Sequence, residues 1–301
     1  MKNWQVLTIA AAAVVIGVGA GYFFSQSNQA HVAKEANSNK TCSIVMDAAK
    51  EMQIDRTNRL YAKGVKKLPF METVTYTHHV PWLKGRSALI NDYSRYYRTS
   101  SQFISRSLNN GQSEEIYGKV SQGDSFNVID ANKNIEFHLV VDLSSRYLHL
   151  YACDMDLQER YLLKIYKVGV GALDPLAESG CETPLGTYPL SNKVGIYKPG
   201  VISNVGGRVI ELVQLYGTRH IPFGDKGRYC ALQGNPWVVD ADTGELTEVR
   251  NFVGQYATEG NIRLHTEDME ELFSIVTSRP TNIQIVREFQ EAQLPGREVD
   301  F

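Results

Sequence analysis

The feature that most constrains this chain is the density of short strand patterns from Ile135 onward. Residues 137–143 read as a strand, Ser144-Ser145-Arg146 as a turn that ends it, and Tyr147-Leu148-His149-Leu150-Tyr151 alternates back. Three residues leave no room for a crossover, so the two segments predict an antiparallel hairpin; parallel neighbours need a dozen or more connecting residues. Residues 162–170 predict a third strand ending at Gly171. Residues 208–216, with Val209, Leu212, Val213 and Leu215 apolar, predict another, and 282–286 a closing one. His138 and His149 fall on strands and read as ordinary strand residues. Residues 224–234, which hold Cys230, read as a loop.

Helices flank this β-rich part. Ile90, Tyr93, Tyr97, Ile104 and Leu108 share a face at 3.6-residue period and predict one helix over 87–108, stopped by Asn109-Asn110-Gly111. Arg95, Arg98 and Arg106 would line its solvated back, a packed helix being the plainer reading than a basic aromatic surface for glycan strands or anionic lipid. Met269, Leu272, Phe273 and Val276 predict a second helix, with Thr266 as N-cap and Pro280 as its stop. Strands in runs, with helices set apart from them, define a mainly β chain of the α+β class.

With 301 residues, 43% of them hydrophobic, the chain can bury a full core. A formal net charge of −2 gives no basic excess to neutralise phosphates, so nucleic acid is not an expected partner. Lys2 precedes an uncharged apolar run over residues 6–24, near the length of a membrane-crossing helix. Tyr22-Phe23-Phe24 stands where a signal-peptide cleavage site needs small residues, so the run predicts an uncleaved signal anchor, with the body exported from the cytoplasm. Asn39-Lys40-Thr41 before Cys42 does not fit a lipoprotein site. The divisions expected are an anchor at 1–25, a linker at 26–40, a partly helical region at 41–134, a β-rich domain at 135–287 and a polar, peripheral tail at 288–301. Cys42, Cys153, Cys181 and Cys230 show no Cys-x-x-Cys spacing, so no metal site is expected.

Several short motifs carry more specific information. Thr258-Glu259-Gly260-Asn261-Ile262-Arg263-Leu264 is similar to the signature loop Ser/Thr-x-Gly-Cys-Ile/Val-Arg of the L,D-transpeptidases of YkuD type. Thr183-Pro184-Leu185-Gly186-Thr187-Tyr188 resembles that family's Thr-Pro-x-Gly-Thr-Phe/Tyr turn, and Tyr216-Gly217-Thr218 with Gly224 its His-Gly-Thr strand end. The resemblance runs over about residues 135–287 and implies an L,D-transpeptidase-type β-sandwich acting on peptidoglycan stem peptides in the bacterial envelope, anchored in the inner membrane through residues 6–24 and needing no cofactor. It further implies a substrate cleft built from Tyr216, Gly217, Thr258, Glu259, Gly260, Asn261 and Arg263.

The reactive positions depart from that pattern. The family's chemistry needs a thiolate nucleophile, a neighbouring His to take its proton, and backbone donors for the oxyanion. Asn261 holds the nucleophile position, and a carboxamide forms no thioester. Tyr216 holds the base position, with a reference pKa near 10. Glu259 stands where a second His is common. Losing the nucleophile of such a set costs on the order of a million-fold in rate. The expectation is a domain that binds stem peptides, with Asn261 and Tyr216 hydrogen-bonding in the old cleft. The alternatives are an active transpeptidase or L,D-carboxypeptidase that has moved its nucleophile to Cys230, with His220 as base, or to Cys181, and a structural module that binds an envelope partner. Arg263 is expected to brace the loop.

Overall fold

The computed structural model describes residues 54–114, 120–225 and 228–301, and the segment Ile54–Phe301 makes one unit. The run 6–24, the linker and Cys42 lie outside the described residues. No helix among the described residues is long and apolar enough to cross a membrane.

The amino-terminal part holds α1 (Asn58–Tyr61), β1 (Met71–Thr75), α2 (Ile90–Tyr97), α3 (Ser101–Leu108) and β2 (Ser125–Ile129). β1 and β2 pair antiparallel, Met71 opposite Ile129. The single helix expected over 87–108 is two. Arg98 adopts a left-handed conformation (φ 50°), and Ser100 Oγ then accepts from Phe103 N at 3.1 Å, starting a new helix with its own N-cap. The apolar face is as expected: Tyr93 and Ile104 pack with Val74, Tyr76, Phe126 and Val128. Arg106, expected on the solvated back, is buried and donates to Gly111 O and Gln112 O, because the turn after α3 folds back over it.

The β-rich part opens with the meander β3 (Ile135–Asp142), β4 (Tyr147–Asp154) and β5 (Glu159–Lys167), paired antiparallel as predicted. Then come β6 (Val170–Gly171), β7 (Gly186–Pro189), β8 (Gly195–Ile196) and the hairpin β9 (Ile202–Val205) with β10 (Arg208–Glu211). The helical turn α4 (Val213–Tyr216) leads to β11 (Arg219–Asp225) and β12 (Arg228–Gly234). The hairpin β13 (Trp237–Val239) with β14 (Leu246–Glu248) precedes β15 (Tyr256–Thr258), β16 (Ile262–Leu264), α5 (Thr266–Val276), β17 (Thr281–Val286) and β18 (Arg297–Glu298).

Two sheets result. The larger has the order β18-β5-β4-β3-β17-β7, with β17 parallel to β3 and reached from β16 of the smaller sheet through α5. The smaller has the order β16-β12-β11-β8, with β12 and β16 parallel. Ile221, Phe223, Leu232, Ile262 and Leu264 of the small sheet share one core with Leu139, Leu148 and Leu150 of the large sheet and with Met269, Leu272 and Phe273 of α5. Each such fully buried side chain contributes roughly 1.5–3 kcal/mol relative to exposure. The architecture is mainly β with flanking helices.

Four local expectations change. The strand expected over 208–216 stops at Glu211, since Leu212 turns helical (ψ −26°) and α4 carries the chain to Gly217. The loop expected over 224–234 is largely strand β12, whose Cys230 and Leu232 alternate inward against Phe223 and Ile221. The N-cap of α5 is His265 rather than Thr266, and Glu248 Oε1 accepts from Thr266 N at 3.0 Å, a carboxylate at the positive helix end. The tail is not merely peripheral: β18 extends the large sheet beside β5, and Phe301 packs its ring on Tyr161.

Candidate functional site

The signature loop is held by threonines. Thr183, wholly buried, accepts from Gly171 N at 2.8 Å and donates to Gly260 O at 3.1 Å, so the Thr-Pro turn and the loop are fastened through one hydroxyl. Thr258 Oγ1 donates to Asn261 O and closes the loop on itself. Gly260 has φ 95°, and a Cβ there would stand 2.9 Å from Glu182 O, so both conformation and space call for glycine.

Asn261 precedes β16. Its Oδ1 accepts from Ala231 N at 2.9 Å, so the side chain takes the place of a ladder carbonyl just before the parallel pairing of Leu232 with Ile262 begins. The carboxamide oxygen at the nucleophile position is thereby engaged with the scaffold, and the amide nitrogen is the polar atom left for a ligand.

Arg263 braces the cleft. Its guanidinium donates to Gly234 O at 3.0 Å and Leu215 O at 3.3 Å and lies 5.2 Å from the Phe252 ring. Burial lowers its pKa to about 10, partly offset by exposed Glu259, so the group stays charged at neutral pH. Because Leu215 directly precedes Tyr216, the last residue of α4, this one side chain ties the base position to the loop. Gly217 completes the join: at φ 66°, a Cβ would meet Gly234 Cα at 2.7 Å.

Arg263 and Gly217 thus join Tyr216 to the end of β12 beside β16, while Thr258, exposed Glu259, Gly260 and Asn261 form the loop that leads into β16 from its other end. The Tyr216 ring lies 4.8 Å from that of His220 and 5.6 Å from that of Tyr197. His220 is half-buried, and burial lowers its pKa, so it is neutral at pH 7.

The cysteines are placed differently. Cys230 stands opposite Phe223 in the β11–β12 register, and both are buried in the core. His220 is three residues from Phe223, so strand alternation puts it on the opposite face. The sheet thus separates Cys230 from His220. Cys230 Sγ still passes 3.5 Å from where a Gly260 side chain would begin. Cys181 is buried behind the turn, its Sγ 3.8 Å from Thr183 O. Neither thiol forms a disulfide with another described cysteine. Among the described residues no group of three His, Cys, Asp or Glu side chains is arranged to hold a metal ion.

Gln233 was not anticipated. It is 1% exposed, pairs in register with His220 on β11 and with Arg263 on β16, and its buried Oε1 has no hydrogen-bond partner among the described residues. Reading 224–234 as a loop hid it, although alternation of Cys230 and Leu232 marks the intervening positions as the other face.

A small sheet with a Thr-Pro turn, a glycine-bearing loop and a bracing arginine at its edge defines a domain of the L,D-transpeptidase class. Residues 136–285 match YkuD, the L,D-transpeptidase catalytic domain, and the chain belongs to that family. No curated protein sequence matches it. Two solved structures are similar in part: Bd1075 of Bdellovibrio bacteriovorus, at 17% identity and TM-score 0.33, over 50% of this chain and 48% of that one; and the helical cell shape determining protein Pgp2 of Campylobacter jejuni, at 16% identity and TM-score 0.31, over 54% and 50%. The chain thus spans about half the length of each.

Proposed function

We propose that this protein binds peptidoglycan stem peptides through its L,D-transpeptidase-type cleft without catalysing acyl transfer, as a body exported from the cytoplasm and held at the membrane by residues 6–24. The observation that carries the reading is the Asn261 side chain: the nucleophile position is filled by an amide whose oxygen is bonded to Ala231 N. Tyr216 at the base position offers a hydroxyl for hydrogen bonding, and the neighbouring neutral His220 adds a second polar ring. Family membership supports peptidoglycan as the substrate class.

A second reading, an active enzyme with a displaced nucleophile, is favoured by one contact, the approach of Cys230 Sγ to Gly260. Intact-mass analysis of the full-length protein, incubated separately with muropeptides and with a carbapenem, distinguishes the two. The binding reading expects no covalent adduct, no product, and saturable muropeptide binding by calorimetry that Tyr216→Ala weakens. An adduct mapping to Cys230 or Cys181 overturns it in favour of an enzyme. Absence of both adduct and binding leaves a structural module for an envelope partner.

A further inference from the structure

The amino-terminal part carries a second surface that the cleft does not use. Trp82 and Tyr96 stack with ring centroids 4.5 Å apart and planes 12° from parallel. Trp82 also meets Tyr93 edge-on at 5.2 Å, and Tyr96 meets Tyr97 edge-on at 4.9 Å. Tyr93 fixes the group, since its hydroxyl accepts from Thr77 N at 2.8 Å and donates to Thr77 O at 3.0 Å. Although it belongs to this rigid cluster, Tyr96 remains 51% exposed. A shallow depression of about 630 Å³, lined by Thr77, His78, His79, Ser87 and Gln122, adjoins it through the edge-on Tyr76–His78 pair. Between positions 77 and 99 the chain carries Lys84, Arg86, Arg95 and Arg98, all exposed, against Asp92 alone, within a protein of net charge −2.

We propose that this platform is a saccharide-binding site, with the glycan backbone of peptidoglycan as its occupant. Pyranose rings present flat C–H faces that pack on aromatic rings, while their hydroxyl and N-acetyl groups need polar partners at the rim. The ring cluster provides the first and the depression the second. Acyl chains of a membrane would leave the hydroxyls and imidazoles of the depression unpaired, a cost that a saccharide avoids. Lys84, Arg95 and Arg98 complement the lactyl carboxylates that a peptide-free glycan strand carries on alternate sugars. The identity of the occupant rests on the peptidoglycan reading above; the surface and its chemistry do not.

The test is calorimetry of the full-length protein with two peptide-free probes, chitotetraose and amidase-stripped glycan strands. Both are expected to bind, the strands more tightly at low salt than at high. Tyr96→Ala is expected to weaken both roughly five- to tenfold, whereas Trp82→Phe keeps most of the affinity. Tyr216→Ala is expected to change neither, and failure of the cleft reading shows separately, as wild-type protein that binds no free stem peptide while its chitotetraose binding is intact. Thermal melting of each variant reports on folding. The proposal is overturned if folded wild-type protein binds neither probe, if folded Tyr96→Ala binds as wild type does, or if Tyr96 is needed instead for anionic phospholipid vesicles.

Discussion

Replacing Asn261 by Ala tests whether this residue is a strut. The substitution removes the acceptor of Ala231 N at 2.9 Å and leaves Gly260, Ile262 and the Thr258 closure in place. Ala231 is 2% exposed, so its N–H gains little from water and its lost hydrogen bond costs about 1–2 kcal/mol. For a unit of this size each kcal/mol shifts the melting temperature by roughly 2–4 °C, so a fall of roughly 2–8 °C is expected. Asn261→Asp restores an acceptor at the same reach and is expected to recover at least half of the loss at pH 7. Urea unfolding at constant slope measures both. If Asn261→Ala melts as the wild type does while muropeptide binding collapses, the side chain serves a ligand rather than the sheet, and the strut argument fails.

Further outcomes follow from the same geometry. Burial depresses the His149 pKa to about 4, with a smaller opposing effect of Asp142, and its ring stacks on Phe289 at 4.3 Å. The unfolded chain binds that proton near pH 6.5 and the folded one does not, so stability is full above 6.5 and falls by on the order of 3 kcal/mol as the pH drops to 4. His149→Phe should flatten that part of the stability–pH curve, and an unchanged curve refutes the assignment. Arg263→Met removes both carbonyl contacts to Gly234 and Leu215 and is expected to cost about 2–4 kcal/mol in urea unfolding and to weaken muropeptide binding with it; retained stability would show that the brace is dispensable. Gly217→Ala forces a Cβ to 2.7 Å from the Gly234 backbone at positive φ, so a loss of about 3 kcal/mol or more, or no soluble protein, is expected, and wild-type melting would contradict it.

Much of the fold was legible because it rests on near-neighbour physics. The β3–β4 hairpin, the helix carrying Met269, Leu272 and Phe273, and closing strand β17 each follow from alternation, helical period or turn residues within a dozen positions. Thr183, Gly260 and Arg263 were legible as a motif, and the brace expected of Arg263 is what its two carbonyl contacts describe. What the sequence hid has partners far away along the chain. Cys230 reads as a loop thiol until β12 finds β11 and β16, and pairing then turns it into the core, away from His220. Tyr216 reads as a strand end until Arg263, far along the chain, takes the Leu215 carbonyl.

By itself the sequence determined the β3–β4 hairpin, helix α5 and the closing strand β17, the glycines needed at 217 and 260, and the loss of a thiol at position 261. Only the tertiary structure decided what those residues face, because a side chain's neighbours across a sheet are set by register. A one-residue change of register moves every side chain to the other face. That is why Asn261 bonds to Ala231 N, why Gln233 lies buried between His220 and Arg263, and why Cys230 faces the core.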